Sequence, residues 1–173
     1  KWINSHCELQ SVHLPSLEDI VQVCARPNVI YGSLDFTNFY WQIGCTERYS
    51  KLYNMVSPIA NHAPLCCQQG DASSPFSAMV TAGHLCEGVE DTLPMLDDLL
   101  LASHTAHSWL TKLERVLHNC QSMKEPNFPP VKIRVDKMCV LTDSVQFLSH
   151  TIQDGFLIAD EEKLKKIQEW SEP

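Results

Sequence analysis

The sequence contains no run of eighteen apolar residues, so it holds no candidate transmembrane helix and no membrane partner is expected. It is also short of positive charge. Lys and Arg number 13 against 21 Asp and Glu, a formal net charge of −8. Phosphate contacts require Lys and Arg, so the overall balance counts against a nucleic-acid binder. The distribution softens that objection. Only Lys1, Arg26, Arg48 and Lys51 are basic before residue 112, whereas Lys124, Lys132, Arg134 and Lys137 cluster later and Lys163, Lys165 and Lys166 follow. An acidic centre with basic material behind it suits metal binding first and polyanion contact second. There is no C-x-x-C pair among the eight cysteines, and the adjacent Cys66 and Cys67 are poorly spaced for an ordinary disulfide. No secretory pattern is present, so the cysteines read as free thiols in a reducing, intracellular compartment, cytoplasmic particle and nucleus being indistinguishable. His104, His107, His118 and Cys120 have the spacing of no known zinc finger. Internal repeats and low-complexity tracts are lacking. Lys1 to His6 carries neither an initiator Met nor a signal-peptide pattern, and it reads as the middle of a chain.

What is present is a series of strand-like and helix-like segments. Ser16-Leu17-Glu18-Asp19 is close to a capping box and opens a short helix carrying Ile20, Val21 and Val23. Val29 to Phe36 reads as a buried strand ending at Asp35, Tyr49 to Val56 as a further strand, and Pro58 to Pro64 as loop. Ser73-Ser74-Pro75 starts a helix running to about Leu85. Leu96 to Ala102 is apolar except for Asp97 and Asp98, which suggests a tight strand–turn–strand. Trp109, Leu110, Leu113, Val116 and Leu117 have helical spacing. Val131 to Leu141 and Val145 to Ile152 read as strands, Gln153-Asp154-Gly155 as a hairpin turn, and the residues after Asp160 as a last helix with Leu164 and Ile167 on one face. Strands interleaved with helices in this order predict an α+β layer, one sheet with helices on one face.

Asp97 and Asp98 are the sharpest chemical feature. Adjacent carboxylates in an apolar run are costly to desolvate unless something positive sits on them, and a divalent cation is the natural partner. On residue type alone a β-turn, where Asp is common, is the better account of them. Asp35 also ends an apolar strand, in Ser33-Leu34-Asp35-Phe36, although a helix N-cap would explain it too. If the two strand ends lie side by side, three carboxylates converge. Such a cluster would hold two Mg²⁺ ions for in-line phosphoryl or nucleotidyl transfer.

The order of motifs narrows the choice. Leu34-Asp35-Phe36-Thr37-Asn38-Phe39-Tyr40-Trp41-Gln42-Ile43 resembles the first catalytic motif of reverse transcriptases from gypsy-class LTR retrotransposons and retroviruses. Gln69-Gly70-Asp71-Ala72-Ser73-Ser74-Pro75-Phe76 resembles the second, and Met95-Leu96-Asp97-Asp98 the third, usually aromatic-x-Asp-Asp. Lys137 falls where the fourth motif has its Lys, and Val145 to His150 resembles the primer-grip hairpin. Glu161 to Pro173 resembles the Lys-rich opening of the thumb. The match covers essentially the whole chain.

The resemblance implies an RNA-directed DNA polymerase core with an α+β palm, an antiparallel sheet with helices on one face, partial fingers and the start of the thumb. Fingers would occupy about 1–15 and 43–73, palm 16–42 and 74–152, thumb 153–173. Asp35 and Asp97 would bind Mg²⁺ or Mn²⁺, with Asp98 beside them and the Phe36 carbonyl helping. Tyr40 would pack under the sugar and reject a 2′-hydroxyl, or is a plain core aromatic. Gln69 would contact the nucleotide and Gly70 would let backbone approach it, or form a turn. Lys137 would donate a proton to pyrophosphate, or is a solvated lysine. Phe147, Leu148 and His150 would position the primer. Partners would be an RNA or DNA template with primer, dNTP, and the RNase H and integrase segments of a parent Pol polyprotein. The chain departs from the family pattern at Met95, where an aromatic is usual, at Ser149, where Gly is usual, and at Asn127-Phe128-Pro129-Pro130, which reads as extra loop. Pro94 stands where the family has a β-branched residue in a central strand, and Pro there removes a ladder hydrogen bond. Such departures suit a drifting copy. The rival readings are an inactive retroelement-derived remnant that binds nucleic acid or protein, and an unrelated Asp-rich phosphohydrolase.

Overall fold

A computed structural model describes residues 2–8, 10–123, 130–159, 165–166 and 169–170. In chain order the helices are α1 Trp2–His6, α2 Leu17–Cys24, α3 Glu47–Leu52, α4 Ser74–Leu85 and α5 Ala106–Ser122. The strands are β1 Ile30–Asp35, β2 Met55–Val56, β3 Asn61–His62, β4 Thr92–Met95, β5 Asp98–Ser103, β6 Cys139–Thr142, β7 Ser144–Phe147, β8 His150–Gln153 and β9 Phe156–Ala159. Short 3₁₀ turns occupy Phe39–Gln42 and Val135–Lys137.

Local chemistry sets the helix starts. The Ser16 hydroxyl accepts the Asp19 N–H at 3.2 Å and the Asp19 carboxylate accepts the Ser16 N–H at 2.8 Å, a reciprocal capping box that opens α2. Pro75 sits in the first turn of α4, where its missing N–H has no helical partner to lose. Thr105 caps α5 through the Ser108 N–H.

The main sheet has the order β4-β5-β1-β6, antiparallel throughout. β1 and β5 are its inner strands, and register sorts their side chains onto two faces. Leu34 opposite Leu99, and Gly32 opposite Leu101, face α4 and α5, where Trp109, Val116, Ala78, Ala82 and Leu85 complete one core. Tyr31 opposite Ala102, and Ser33 opposite Leu100, face the other way. There Ile20 and Cys24 of α2 meet Val145, Phe147 and Ile152 in a second core. The expected layer of helices on one face is therefore present. The opposite face is covered by α2 and a separate antiparallel sheet, β7-β8-β9. Burial on both sides explains why Leu99, Leu100 and Leu101 are all fully buried. Gly32 is required by close packing: a Cβ there would lie 2.2 Å from the Trp109 ring and 2.6 Å from the Cys139 carbonyl oxygen.

Several sequence expectations are corrected. Tyr49 to Val56 is the helix α3 followed by the two-residue strand β2. Tyr49 and Tyr53 stack at 4.4 Å, and a spacing of four puts residues on one side of a helix and of a strand alike. The 58–64 loop contains β3, paired with β2. In the 131–141 segment only Ile133, bridged to Phe36, and β6 pair with the sheet. The 3₁₀ turn at Val135–Lys137 interrupts them. The 145–152 segment is two strands, joined by Leu148 and Ser149. Pro94 lies in β4, an edge strand. Met95 and Asp98 flank the two-residue turn, so the alternation of pairs turns the Pro94 nitrogen toward the open edge, and no ladder bond is lost. The extra loop at 127–129 and most of the last helix, with Leu164 and Ile167, lie outside the described residues.

Candidate active site

β1 and β5 end together. Asp35, the last residue of β1, pairs with Asp98, the first of β5. Antiparallel partners share a face, and this face is the one toward α2 and the β7–β8 hairpin. Asp97 lies in the Leu96-Asp97 turn between β4 and β5, and its carbonyl accepts the Phe36 N–H at 2.7 Å. Leu96 takes φ 57, a left-handed backbone that a bulky residue adopts at a cost. Strain at this turn coincides with the exposed Asp97.

The carboxylates feel one another. Burial, then the charges of Asp97 and Asp35, raise the Asp98 carboxyl above its ordinary value, while Lys137 opposes the shift. Lys137 Nζ stands 3.1 Å from Asp35 Oδ2. The backbone holds it there. The Arg134 N–H donates to the Asp35 carbonyl at 2.8 Å and the Thr37 N–H to the Lys132 carbonyl at 3.0 Å. The Gln42 amide closes a two-way pairing with the Lys132 backbone, accepting its N–H at 2.6 Å and donating to its carbonyl at 3.1 Å. The 3₁₀ turn at Val135–Lys137 then drops Lys137 onto Asp35.

A cavity of about 220 Å³ opens beside them, lined by Ser33, Asp35, Asp98 and Lys137 on one side and by Phe147, Leu148 and His150 on the other. Asp35, Asp98 and the hairpin are thus walls of one cleft, and Asp97 is not among its lining residues. Phe147 is also core, 3% exposed. Tyr40 is half-buried, and its phenol is raised by burial, then by Asp97 and Cys67, so it lies within the field of the turn. Phe36 is buried and stacks on Phe39 at 4.9 Å. Gln69 and Gly70 do not line the cleft. They lie exposed on the loop before α4, where the Gly70 carbonyl accepts the Asn4 side-chain amide at 2.8 Å.

Sequence reading missed two features. Gln146 and Thr151, cross-strand partners on β7 and β8, also line the cleft; the hairpin resemblance at Val145 to His150 marked the turn but not this pair. Asp71 is buried and accepts hydrogen bonds from Ser73 Oγ at 2.5 Å, Tyr49 OH at 3.0 Å, Ser74 Oγ at 3.2 Å and Tyr53 OH. It ties α3 to the start of α4. The signal for it was the Tyr49–Tyr53 pair, hidden by reading that segment as a strand.

Among the described residues no three His, Cys, Asp or Glu side chains already close on a common point as a metal site. The donor chemistry nevertheless fits a hard divalent cation. Asp35, Asp97 and Asp98 offer only carboxylate oxygens, and the positive charge on Asp35 is an exposed lysine able to move away. All eight cysteines are free, and burial raises the Cys67, Cys86 and Cys120 thiols to about 11, far from the thiolate a soft-metal site or nucleophile requires.

No protein-family model matches the chain, and no curated protein matches it. Solved structures do. The foamy viral protease-reverse transcriptase dRH in complex with dsDNA superposes with a TM-score of 0.82 at 19% identity, over 99% of this chain and 29% of that one. The foamy viral protease-reverse transcriptase in complex with dsDNA gives 0.80 at 18%, over 100% of this chain and 35% of that one. The same viral protein in complex with an RNA/DNA hybrid gives 0.74 at 17%, over 99% and 22%. The chain spans about a third or less of these proteins' length, and its fold is the retroviral reverse transcriptase fold.

Proposed function

We propose that this chain is the core of an RNA-directed DNA polymerase of the kind carried by gypsy-class LTR retrotransposons and retrovirus-like Pol polyproteins. The observation that carries the reading is the pairing of Asp35 with Asp98 at the ends of β1 and β5, beside the turn that holds Asp97 and opposite the β7–β8 hairpin. Fingers would comprise about 1–15 and 43–73, and palm 16–42 and 74–152. The start of the thumb would comprise 153–173.

Asp35, Asp97 and Asp98 would hold Mg²⁺ or Mn²⁺, with the Phe36 carbonyl beside them. When bound, the ions supply activation of the primer 3′-hydroxyl and charge neutralisation on the triphosphate. The protein's own residues do the positioning. Tyr40 underlies the sugar and excludes a 2′-hydroxyl. Gln69 and Gly70 approach the nucleotide from the loop before α4. Leu148 and His150, supported by Phe147, hold the primer end across the cleft. Lys137 donates a proton to the leaving pyrophosphate. Template, primer and dNTP are the partners, with RNase H and integrase segments in the parent polyprotein. The net charge of −8 leaves phosphate binding largely to residues outside this chain.

The test is sugar selection by the chain within its longer native protein, extending a DNA primer on RNA. Tyr40→Val should raise ribonucleotide relative to deoxynucleotide incorporation. An unchanged ratio would make Tyr40 a core residue only. Phosphate release from nucleotides without any extension would favour the phosphohydrolase.

A further inference from the structure

Lys137 sits on Asp35 through a built arrangement. Its side chain is half exposed, at 52%, while that of Asp35 is 19% exposed. Most lysines so exposed wander in solvent. Here the segment before it is pinned to β1 and the Thr37 loop by the Gln42–Lys132 pairing and the Arg134–Asp35 backbone bond, and the 3₁₀ turn aims it. The charges of Asp97 and Asp35 act on Asp98, and the ammonium in contact with this group of carboxylates is Lys137 on Asp35, with the Arg134 guanidinium within the field of Asp35 but paired to Asp136. The other surroundings of Lys137 are the Ser33 and His150 walls of the cleft, which leave it a path to water.

We propose that Lys137 is the internal counter-ion of the metal-free site, and that a divalent cation binds there by exchange with it. The inference rests on the polymerase reading, since it takes Asp35 for a metal ligand. Lys137 is then doubly used. It neutralises Asp35 before the cation arrives, and it is free for proton donation only after it has been displaced. The flexible four-carbon stem suits this exchange, which an arginine fork locked on the carboxylate would resist. Gln42 is a positioning residue in the same device, because it fixes the segment from which Lys137 reaches Asp35.

The experiment is a titration of the full chain with Mn²⁺, reading free Mn²⁺ by electron paramagnetic resonance without nucleotide or primer. Lys137→Met should bind Mn²⁺ about three- to tenfold tighter than the parent, the range expected for removing a partly screened competing charge. Lys137→Arg should match the parent or bind more weakly. Thermal unfolding without metal guards against misfolding. Lys137→Met should unfold at a slightly lower temperature than the parent and gain more on Mn²⁺ addition. Asp35→Asn and Asp97→Asn separate the two ideas. If they abolish Mn²⁺ binding while Lys137→Met leaves it unchanged or weaker, the metal site stands and the counter-ion role is overturned. If Mn²⁺ binding is absent, or indifferent to both Asp substitutions, the metal reading fails and this inference fails with it.

Discussion

Asp71 shows how a single buried carboxylate can be held without a cation. Burial pushes its carboxyl up, but hydrogen bonds from Ser73, Tyr53 and Tyr49 outweigh burial, and its net shift is downward. A folded-state value below the unfolded one means stability that is present above about pH 4 and is lost as pH falls through the folded value. Asp71→Asn should therefore cost about 1–3 kcal/mol at pH 7, the penalty for leaving half-buried phenols and hydroxyls poorly matched. The gap to the parent should close under acid. Urea unfolding at pH 7 and near pH 3 checks both halves. A gap independent of pH would show that the Asp71 carboxyl titrates alike in the folded and unfolded chain, contradicting the downward shift. Gly32 makes the second residue-scale case. Gly32→Ala drives a methyl into the Trp109 ring and the Cys139 carbonyl, so β1, α5 or β6 must shift. A loss of about 1–3 kcal/mol or more is expected in the same assay. A neutral result would mean that α5 packs less closely on the sheet than the structure shows.

At the scale of elements, the β7–β8 hairpin turns on Leu148 at φ 46 and Ser149 at φ 66. Two positive φ values define a type I′ turn, whose second position favours Gly. Ser149→Gly should raise stability by up to about 1 kcal/mol, less whatever the Ser side chain contributes, and the thermal midpoint should rise. A fall would assign the Ser149 side chain more weight than its backbone strain. Elements with their own local signals were legible in the sequence: the capping box of α2, the Pro75 start of α4, the helical spacing of α5 and the turn at Asp154-Gly155. Elements decided by tertiary contact were not. Val131, Ile133 and Val135 alternate as a strand would, yet after the Ile133–Phe36 bridge the chain turns away at Val135–Lys137, where the Lys137 N–H bonds the Arg134 carbonyl, and rejoins β1 as β6. Pro94 looked like damage to a central strand because sequence order does not say which strand is at the edge.

For the whole molecule, the candidate site was legible as a set of residues and not as a geometry. Asp35, Asp97 and Asp98 stood out as charges ending apolar runs, but only the β1–β5 register pairs Asp35 with Asp98 and brings the Asp97 turn next to Phe36. The cover of the second face by α2 and β7–β9, which makes the cleft, has no local signature. Gln69 and Gly70 were visible as a motif, yet they lie away from the cleft lining. The chain spans 29% of the foamy viral protein in the 0.82 superposition and carries a net charge of −8. The 173 residues alone should thus fold yet extend a primer hardly at all, because positioning accounts for roughly 7–11 kcal/mol of barrier in favourable cases. Robust synthesis by this chain alone would overturn that expectation.

The most direct measurement is Mg²⁺-dependent extension of a primed RNA template by the native protein, compared with its Asp35→Asn and Asp97→Asn variants. If these carboxylates form one nucleotidyl-transfer centre, each substitution should lower the rate by about 10²–10³-fold or more, the scale for losing a group that stabilises transition-state charge. The folded state should survive, since Asp97 is exposed in the turn. Undiminished synthesis by a folded Asp97→Asn variant would contradict the assignment.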